Sequence, residues 1–347
     1  MSFREESLRR SKRFLASLGM TFKRLLFRFL MPSIITFGEM LIDFVPTTNG
    51  VSLSEATTYI KAAGGAPANV AVGLARLGVS CGFMGQVGDD AFGHFLAHTL
   101  QENHVDITEL KFSSHARTAL AFVSLKADGE RDFMFYRHPS ADMLYSPDQV
   151  NKEYIHRAQM FHFGSISLID DPIRRATLFA IEAAKKAGAV ISYDPNLRLP
   201  LWRDAESARE GMMLGWKYAN VIKVSADEFD FLGGDTKKLW HDDLQLLVIT
   251  RGKNGCAFVR LPKSARLRES EVTGFKVESV DSTGAGDGFV AGLLSGLLTH
   301  PHAVDDEEML RAICRRANAV GAIATTKRGA IPALPTSHNV DQFLESH

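Results

Sequence analysis

The sequence predicts an α/β protein: a mostly parallel central sheet with helices on both faces, plus a small separate β-sheet. Three observations carry this. Short apolar runs recur that suit strands buried on both faces. Amphipathic stretches of helical length lie between several of them, as strand–helix alternation requires. One region breaks the rhythm with two β-rich runs joined through an Asp-Gly turn.

In chain order, strands are expected at Ile34–Gly38, Cys81–Gly85, Met160–Gly164, Ala189–Tyr193, Val221–Val224, Leu246–Thr250 and Cys256–Val259. Helices are expected at Ala68–Leu77, Phe92–Asn103, Pro172–Ala187 and Ala205–Tyr218, with two long ones, Ala285–Leu298 and Glu307–Thr326, at the end. The exceptional runs are Thr118–Leu125 and Arg131–Arg137, joined by Ala127-Asp-Gly-Glu130. With Phe44-Val45-Pro46 they build a small sheet from about 41–54 and 114–138. It is edge decoration, or a lid if it lies over a site that must exclude water.

Bulk properties narrow the function. The chain has 347 residues, room for a large core, and its 45% hydrophobic and 23% charged residues are ordinary globular composition. Lys plus Arg equals Asp plus Glu at 40 each, so no net field favours nucleic acid or a membrane surface. Cys81, Cys256 and Cys314 are scattered and form no Cys-x-x-Cys pair, which argues for a reducing compartment and against a structural metal. Residues 1–31 stand apart, with eight Lys and Arg against Glu5 and Glu6. Lys23, Arg24 and Arg28 interrupt any spanning run. This extension reads equally as a transit peptide, a basic tail, or translation assigned to start too early. The body from 32 to 347 is expected in the cytoplasm, or in an organelle if the extension is a transit peptide.

The most informative segment is Asp281-Ser-Thr-Gly-Ala-Gly-Asp-Gly-Phe-Val-Ala-Gly292. Gly284 and Gly286 let backbone N–H groups approach an anion, and the apolar residues that follow start a helix whose positive end points there. Asp287 would repel a phosphate unless it takes a proton from a hydroxyl that then attacks phosphorus. Alone, a Gly-rich turn between strand and helix is common. A dinucleotide fingerprint would need glycine at Phe289, and no Walker-type loop occurs. Other signals lie at strand ends or helix starts: Asp43, Gly64-Gly-Ala-Pro-Ala-Asn69, Asp194-Pro-Asn-Leu-Arg198, Lys223, Glu228 and Thr250-Arg-Gly252-Lys-Asn-Gly255. Each has a bland reading as a cap or turn. Together they fall where open α/β sheets bind ligands.

These segments resemble the ribokinase-like, phosphofructokinase-B type carbohydrate kinases, over about Ile34 to Pro335. The chain has that family's paired signatures, Gly64–Asn69 with Gly78 and Gly88, and Asp281–Asp287. Its fructokinase members are the most similar, through Phe37-Gly-Glu-Met-Leu-Ile-Asp43, Arg117–Phe122, Phe133–Arg137, Pro139–Asp142 and Ser192–Trp202. The resemblance implies a three-layer α/β/α sandwich with a β-sheet lid, ATP and Mg²⁺ as cofactors, a small sugar as substrate and a homodimer. It implies Asp287 as base and Gly284, Ala285 and Gly286 as anion hole. Asp43, Gly65 and Asn69 match sugar contacts, Tyr136 and Arg137 match lid residues closing over the sugar, and Arg198 lies near sugar and phosphate. Lys223, Thr250, Gly252, Gly255 and Asn318 match the nucleotide side, and Glu228 an acid acting indirectly on Mg²⁺. Asp281 and Thr283 resemble the loop that binds a monovalent cation such as K⁺ in many members. Arg251 departs from the pattern, standing where relatives often carry an acid.

Overall fold

Every strand run at the centre of this chain is apolar at successive positions, so each strand must be covered on both faces. A computed structural model, describing residues 32–48, 50–125, 131–261 and 266–347, shows how. The basic extension 1–31 and the turn 127–130 lie outside the described residues. Ser33–His347 forms one compact unit.

The strands are β1 (Ile34–Phe37), β2 (Leu41–Pro46), β3 (Tyr59–Gly64), β4 (Cys81–Gly88), β5 (Leu110–Ser113), β6 (Leu120–Leu125), β7 (Arg131–Tyr136), β8 (Met160–Gly164), β9 (Val190–Asp194), β10 (Val221–Ser225), β11 (Leu246–Thr250), β12 (Cys256–Arg260) and β13 (Arg268–Val272). The principal helices are α1 (Ala66–Arg76), α2 (Ala91–Glu102), α3 (Ile173–Lys186), α4 (Ala205–Trp216), α5 (Ala226–Phe231), α6 (Ala285–Thr299) and α7 (Glu307–Ala324).

Nine strands form the main sheet in the order β13-β12-β11-β10-β9-β8-β1-β4-β5. Its pairs are parallel except β11–β12 and β12–β13. Neighbouring residues of one strand serve opposite cores: Ile34, Val221, Leu246 and Val248 pack with α1, α6 and α7, whereas Ile35, Ile222, Leu247 and Ile249 pack with α3 and α4. The result is a three-layer α/β/α sandwich. Strand order reverses at β1, which lies between β8 and β4, so a crevice opens beyond the carboxyl ends of these strands.

The small sheet has four strands, β3-β2-β6-β7. β3, at 59–64, lies outside the expected ranges because Tyr-Ile-Lys-Ala-Ala-Gly has neither clean alternation nor an apolar run. The strands β5 and β13 escaped sequence reading for a similar reason. β5 is four residues, and β13 is an edge strand reading Arg-Glu-Ser-Glu-Val. Sheet pairing, absent from local sequence, makes them strands.

Phe161 at the centre of β8 is fully buried, its ring centroid 6.0 Å from Phe37 and 6.5 Å from Phe163. Truncation there leaves a cavity that these rings cannot collapse to fill. Phe161→Ala is expected to lower stability by about 3–5 kcal/mol, measured as the shift in chemical denaturation midpoint at constant m-value.

Candidate active site

The crevice is a cleft of about 1060 Å³ between the main sheet's carboxyl edge, the start of α6 and the underside of the small sheet. Asp43, Gly65, Asn69, Arg198, Lys223, Glu228, Asp281, Thr283, Gly284, Gly286 and Asp287 all line it. Residues up to 244 positions apart in sequence, Asp43 and Asp287, thus face one space.

Its floor is the first turn of α6. Gly284 has φ 79°, a left-handed conformation, and a Cβ there would stand 2.6 Å from the Cβ of Ala330. That bend turns the first N–H groups of the helix toward the cleft. The N–H of Ala285 is spent on the Ser282 carbonyl at 3.3 Å. Those of Gly284, Gly286 and Asp287 find no acceptor among the described residues. They leave a donor cluster at a positive helix end, suited to an anion. Asp281 fixes the preceding loop. Its Oδ1 accepts from the Thr283 N–H (2.9 Å) and Oγ1 (2.7 Å), and its Oδ2 from the Gly329 N–H (2.9 Å).

Asp287 is 7% exposed, in the first turn of α6. Its Oδ2 accepts a 2.8 Å hydrogen bond from Asn69 Nδ2, across 218 residues of sequence. Burial raises its pKa above the usual carboxylate range, while Asn69, Lys223 and Arg198 favour the charged form and hold the rise down. Asp43, on β2, lies so close over Gly64 that no side chain fits there. Burial pushes its carboxyl up to about 7, against the pull of Arg198, and the charges of Asp287 and Asp281 add to the rise.

Lys223, buried at the end of β10, donates from Nζ to Asp194 Oδ2 at 2.9 Å. Burial opposes its charge, but Asp194, Glu228 and Asp287 together keep its pKa above the ordinary value. A Cβ at Gly286 would be 3.1 Å from that ammonium, so the absence of a side chain at 286 lets Lys223 approach the donor cluster. Glu228 is held in the capping box of α5, accepting from the Ser225 N–H and Oγ (2.8 Å each) and from the Leu197 N–H at 2.6 Å. Burial would raise its pKa, but Lys223 and these donors outweigh it and the carboxyl stays ionised. Arg198 donates to the Leu197 carbonyl at 3.0 Å, leaving most of its guanidinium donors toward the cleft.

The structure separates other expected site residues from this cleft. Arg137 is buried and paired with Asp142 (Nη2–Oδ2 2.6 Å), and Tyr136 is 57% exposed with its ring edge-on to Phe122. Neither lines the cleft. Thr250 ends β11, and Gly252 and Gly255 follow in the turn to β12. Asn318 donates to the carbonyls of Val272 and Thr273 at 3.3 Å each, beside that turn. Thr250 lies in register beside Ser225, which lines the cleft, so this group adjoins it. Arg251 pairs there with Glu271 at 2.5 Å. Glu39, absent from the expected set, does line the cleft. Its signal was an acid in the otherwise apolar stretch Phe37–Ile42.

Phosphates fit this arrangement, because free N–H donors, Lys223 and Arg198 converge on one space. For a divalent ion, no group of three His, Cys, Asp or Glu among the described residues could supply a cage. The oxygens of Glu228 and Asp281 are already engaged by protein donors. An ion there would take its ligands from phosphate oxygens and water, with Glu228 setting the field nearby.

Comparison with known proteins agrees with this fold. Residues 31–337 match the model of the pfkB family carbohydrate kinases. The probable fructokinase-2 of Arabidopsis thaliana is 52% identical over 319 residues, 90% of this chain and 95% of that protein. The crystal structure of fructokinase with bound ATP from Xylella fastidiosa superposes with TM-score 0.82 at 35% identity, covering 90% of this chain and 98% of that one. A double mutant of fructokinase from Vibrio cholerae, in a form with bound fructose, ADP and potassium ion, gives 0.79 at 33% identity, covering 90% and 98%. With its fold, its paired glycine motifs and a match along nearly its whole length, this chain belongs to the pfkB family of carbohydrate kinases.

Proposed function

We propose that this protein transfers the γ-phosphoryl group of ATP to the C6 hydroxyl of D-fructose, with Asp287 as general base. The observation that carries the reading is a buried carboxylate beside unpaired N–H donors of the same helix turn. That pairing of opposite preferences suits a base next to an anion hole. Asp287 Oδ2 is held by Asn69, while Oδ1 accepts no hydrogen bond among the described residues and is free to take a proton. The attacking oxygen then meets phosphorus held by the N–H groups of Gly284, Gly286 and Asp287, with Lys223 and Arg198 absorbing charge on the transferring group. The Ala285 N–H, turned to Ser282, contributes less than the sequence suggested. Mg²⁺, held through the phosphates, supplies further charge neutralisation when bound.

Asp43, Gly65 and Asn69 lie on the sugar side. The buried Oδ1 of Asn69 has no partner among the described residues and would accept a sugar hydroxyl. Fructose as the acceptor is supported by relatives named fructokinases at about half identity. Tyr136 and Arg137 would reach a sugar only if the small sheet moves, and Thr250, Gly252, Gly255 and Asn318 are assigned to the far, adenine side of the nucleotide. Asp281 and Thr283 would act on K⁺ through the loop they hold rather than by free side-chain oxygens. The small sheet exposes Ile60, Met134 and Tyr136, an apolar set that supports a homodimer through this sheet.

Purified protein with Mg-ATP should release ADP with fructose in preference to glucose, ribose, 2-keto-3-deoxygluconate or adenosine. Asp287→Asn should keep ATP binding and melting temperature yet lose about 10²–10⁴ in turnover; near-normal turnover would sink the base assignment. Because a base must be ionised, kcat/KM for the sugar should rise with pH through an acid limb above the ordinary carboxylate range, since burial raises the pKa of Asp287. Asn69→Leu should shift that limb to higher pH, since it removes the hydrogen bond that favours the ionised form of Asp287. A limb unmoved at about pH 4 would contradict this. Light scattering should report twice the chain mass, and Ile60→Glu with Met134→Glu should halve it.

A further inference from the structure

The chain crosses four times between the main and small sheets: from β1 to β2, from β3 to α1, into β6 and out of β7. Glu39 lies in the first crossing and touches the second. Its Oε1 accepts the N–H of Ala66, the first residue of α1, at 3.1 Å. Gly65 occupies the cap position of that helix and has no side chain to do this itself. A carboxyl 27 residues upstream therefore caps α1.

The helix it caps is the one that carries Asn69. The Asn69 N–H bonds the Gly65 carbonyl at 2.9 Å, and its Nδ2 holds Asp287 Oδ2 at 2.8 Å. From Glu39 the run leads to Ala66, across the peptide bond to Gly65, by the helix hydrogen bond to Asn69, and on to Asp287. Glu39 is 2% exposed, and its Oε2 has no partner among the described residues. Burial pushes this carboxyl up to about 7, with Arg137 opposing the rise and Asp142, Arg137's own partner, adding to it. A buried, half-satisfied acid costs stability, and retaining it needs a reason beyond packing.

We propose that Glu39 is a positioning residue for phosphoryl transfer: by capping α1 it sets Asn69, and through Asn69 the direction in which Asp287 faces the sugar. This rests on the kinase reading above. A small rotation of Asp287 would take the base out of line with the attacking hydroxyl, which is where misplacement is most costly. Glu39 itself touches no reacting atom.

Two measurements test it. In steady-state kinetics, Glu39→Ala is expected to lower kcat by at least about tenfold, with the KM for ATP held within about twofold. Glu39→Gln keeps an oxygen for the Ala66 N–H and should recover most of the loss. In an Asn69→Ala background, Glu39→Ala should add less than about twofold, because the two act in series. Independent losses in the double variant, or an inactive but well-folded Gln variant, would overturn the inference. A crystal structure of Glu39→Ala decides without turnover, so a failure of the kinase reading stays distinguishable. Asn69 displaced from Asp287 supports the inference, and Asn69 still bonded to Asp287 overturns it. Should Glu39→Ala not fold, Glu39→Asp, whose shorter carboxyl withdraws from Ala66, takes its place in both measurements.

Discussion

The hydrogen bond between Asn69 and Asp287 is the constraint on which the rest of the site depends. It joins the start of one long helix, α1, to the start of another, α6, and both helices pack on the same face of the sheet. Each helix end brings a glycine-bounded turn with it. Fixing the two ends against each other therefore places the turn at Gly65 and the turn at Gly284 at one distance and angle. Without that bond, a carboxylate at a positive helix end would be free to turn inward onto its own N–H groups and occupy the space an anion needs.

Around this bond the cleft balances buried acids against two cations. Asp43, Asp194, Glu228 and Asp287 face Lys223 and Arg198, and burial tends to raise the pKa of all four acids. The outcome differs by hydrogen bonding. Glu228, with three donors, stays low; Asp194, with Lys223 alone at its Oδ2, is pushed up to about 6; and Asp43, without a protein hydrogen bond among the described residues, goes up to about 7. Asp43 and Asp287, which line the cleft, each keep an oxygen with no protein donor among the described residues, whereas both oxygens of Asp194 and of Glu228 are engaged.

Much of this was legible in sequence. Strands such as Leu246–Thr250 announce themselves by unbroken apolar character, and the Gly-rich run ending in Asp287 marks a helix start that the structure places on the floor of the cleft. What stayed hidden was relational. The capping of α1 by Glu39 depends on a partner 27 residues away, and Tyr59–Gly64 becomes a strand only because β2 lies beside it. Arg137 is another case: the family resemblance matches it to a lid residue, and only the structure shows that Asp142, five residues on, pairs with its guanidinium inside the protein. Local pattern reports what a residue can do, and packing decides which of its options is used.

The charged character of β13 has a consequence for solubility. A sheet of nine strands ends in an unpaired backbone edge, the kind of surface onto which another chain can add. Here that edge carries Arg268, Glu269 and Glu271, and the opposite edge is the four-residue β5 with Lys111. Both discourage strand addition, so the largest sheet in the molecule is closed to growth. On the small sheet, the edge strand β3 carries Lys61 beside Ile60, which is 53% exposed. An exposed apolar residue thus lies beside a charged one on this edge, which leaves the small sheet less guarded than the main one.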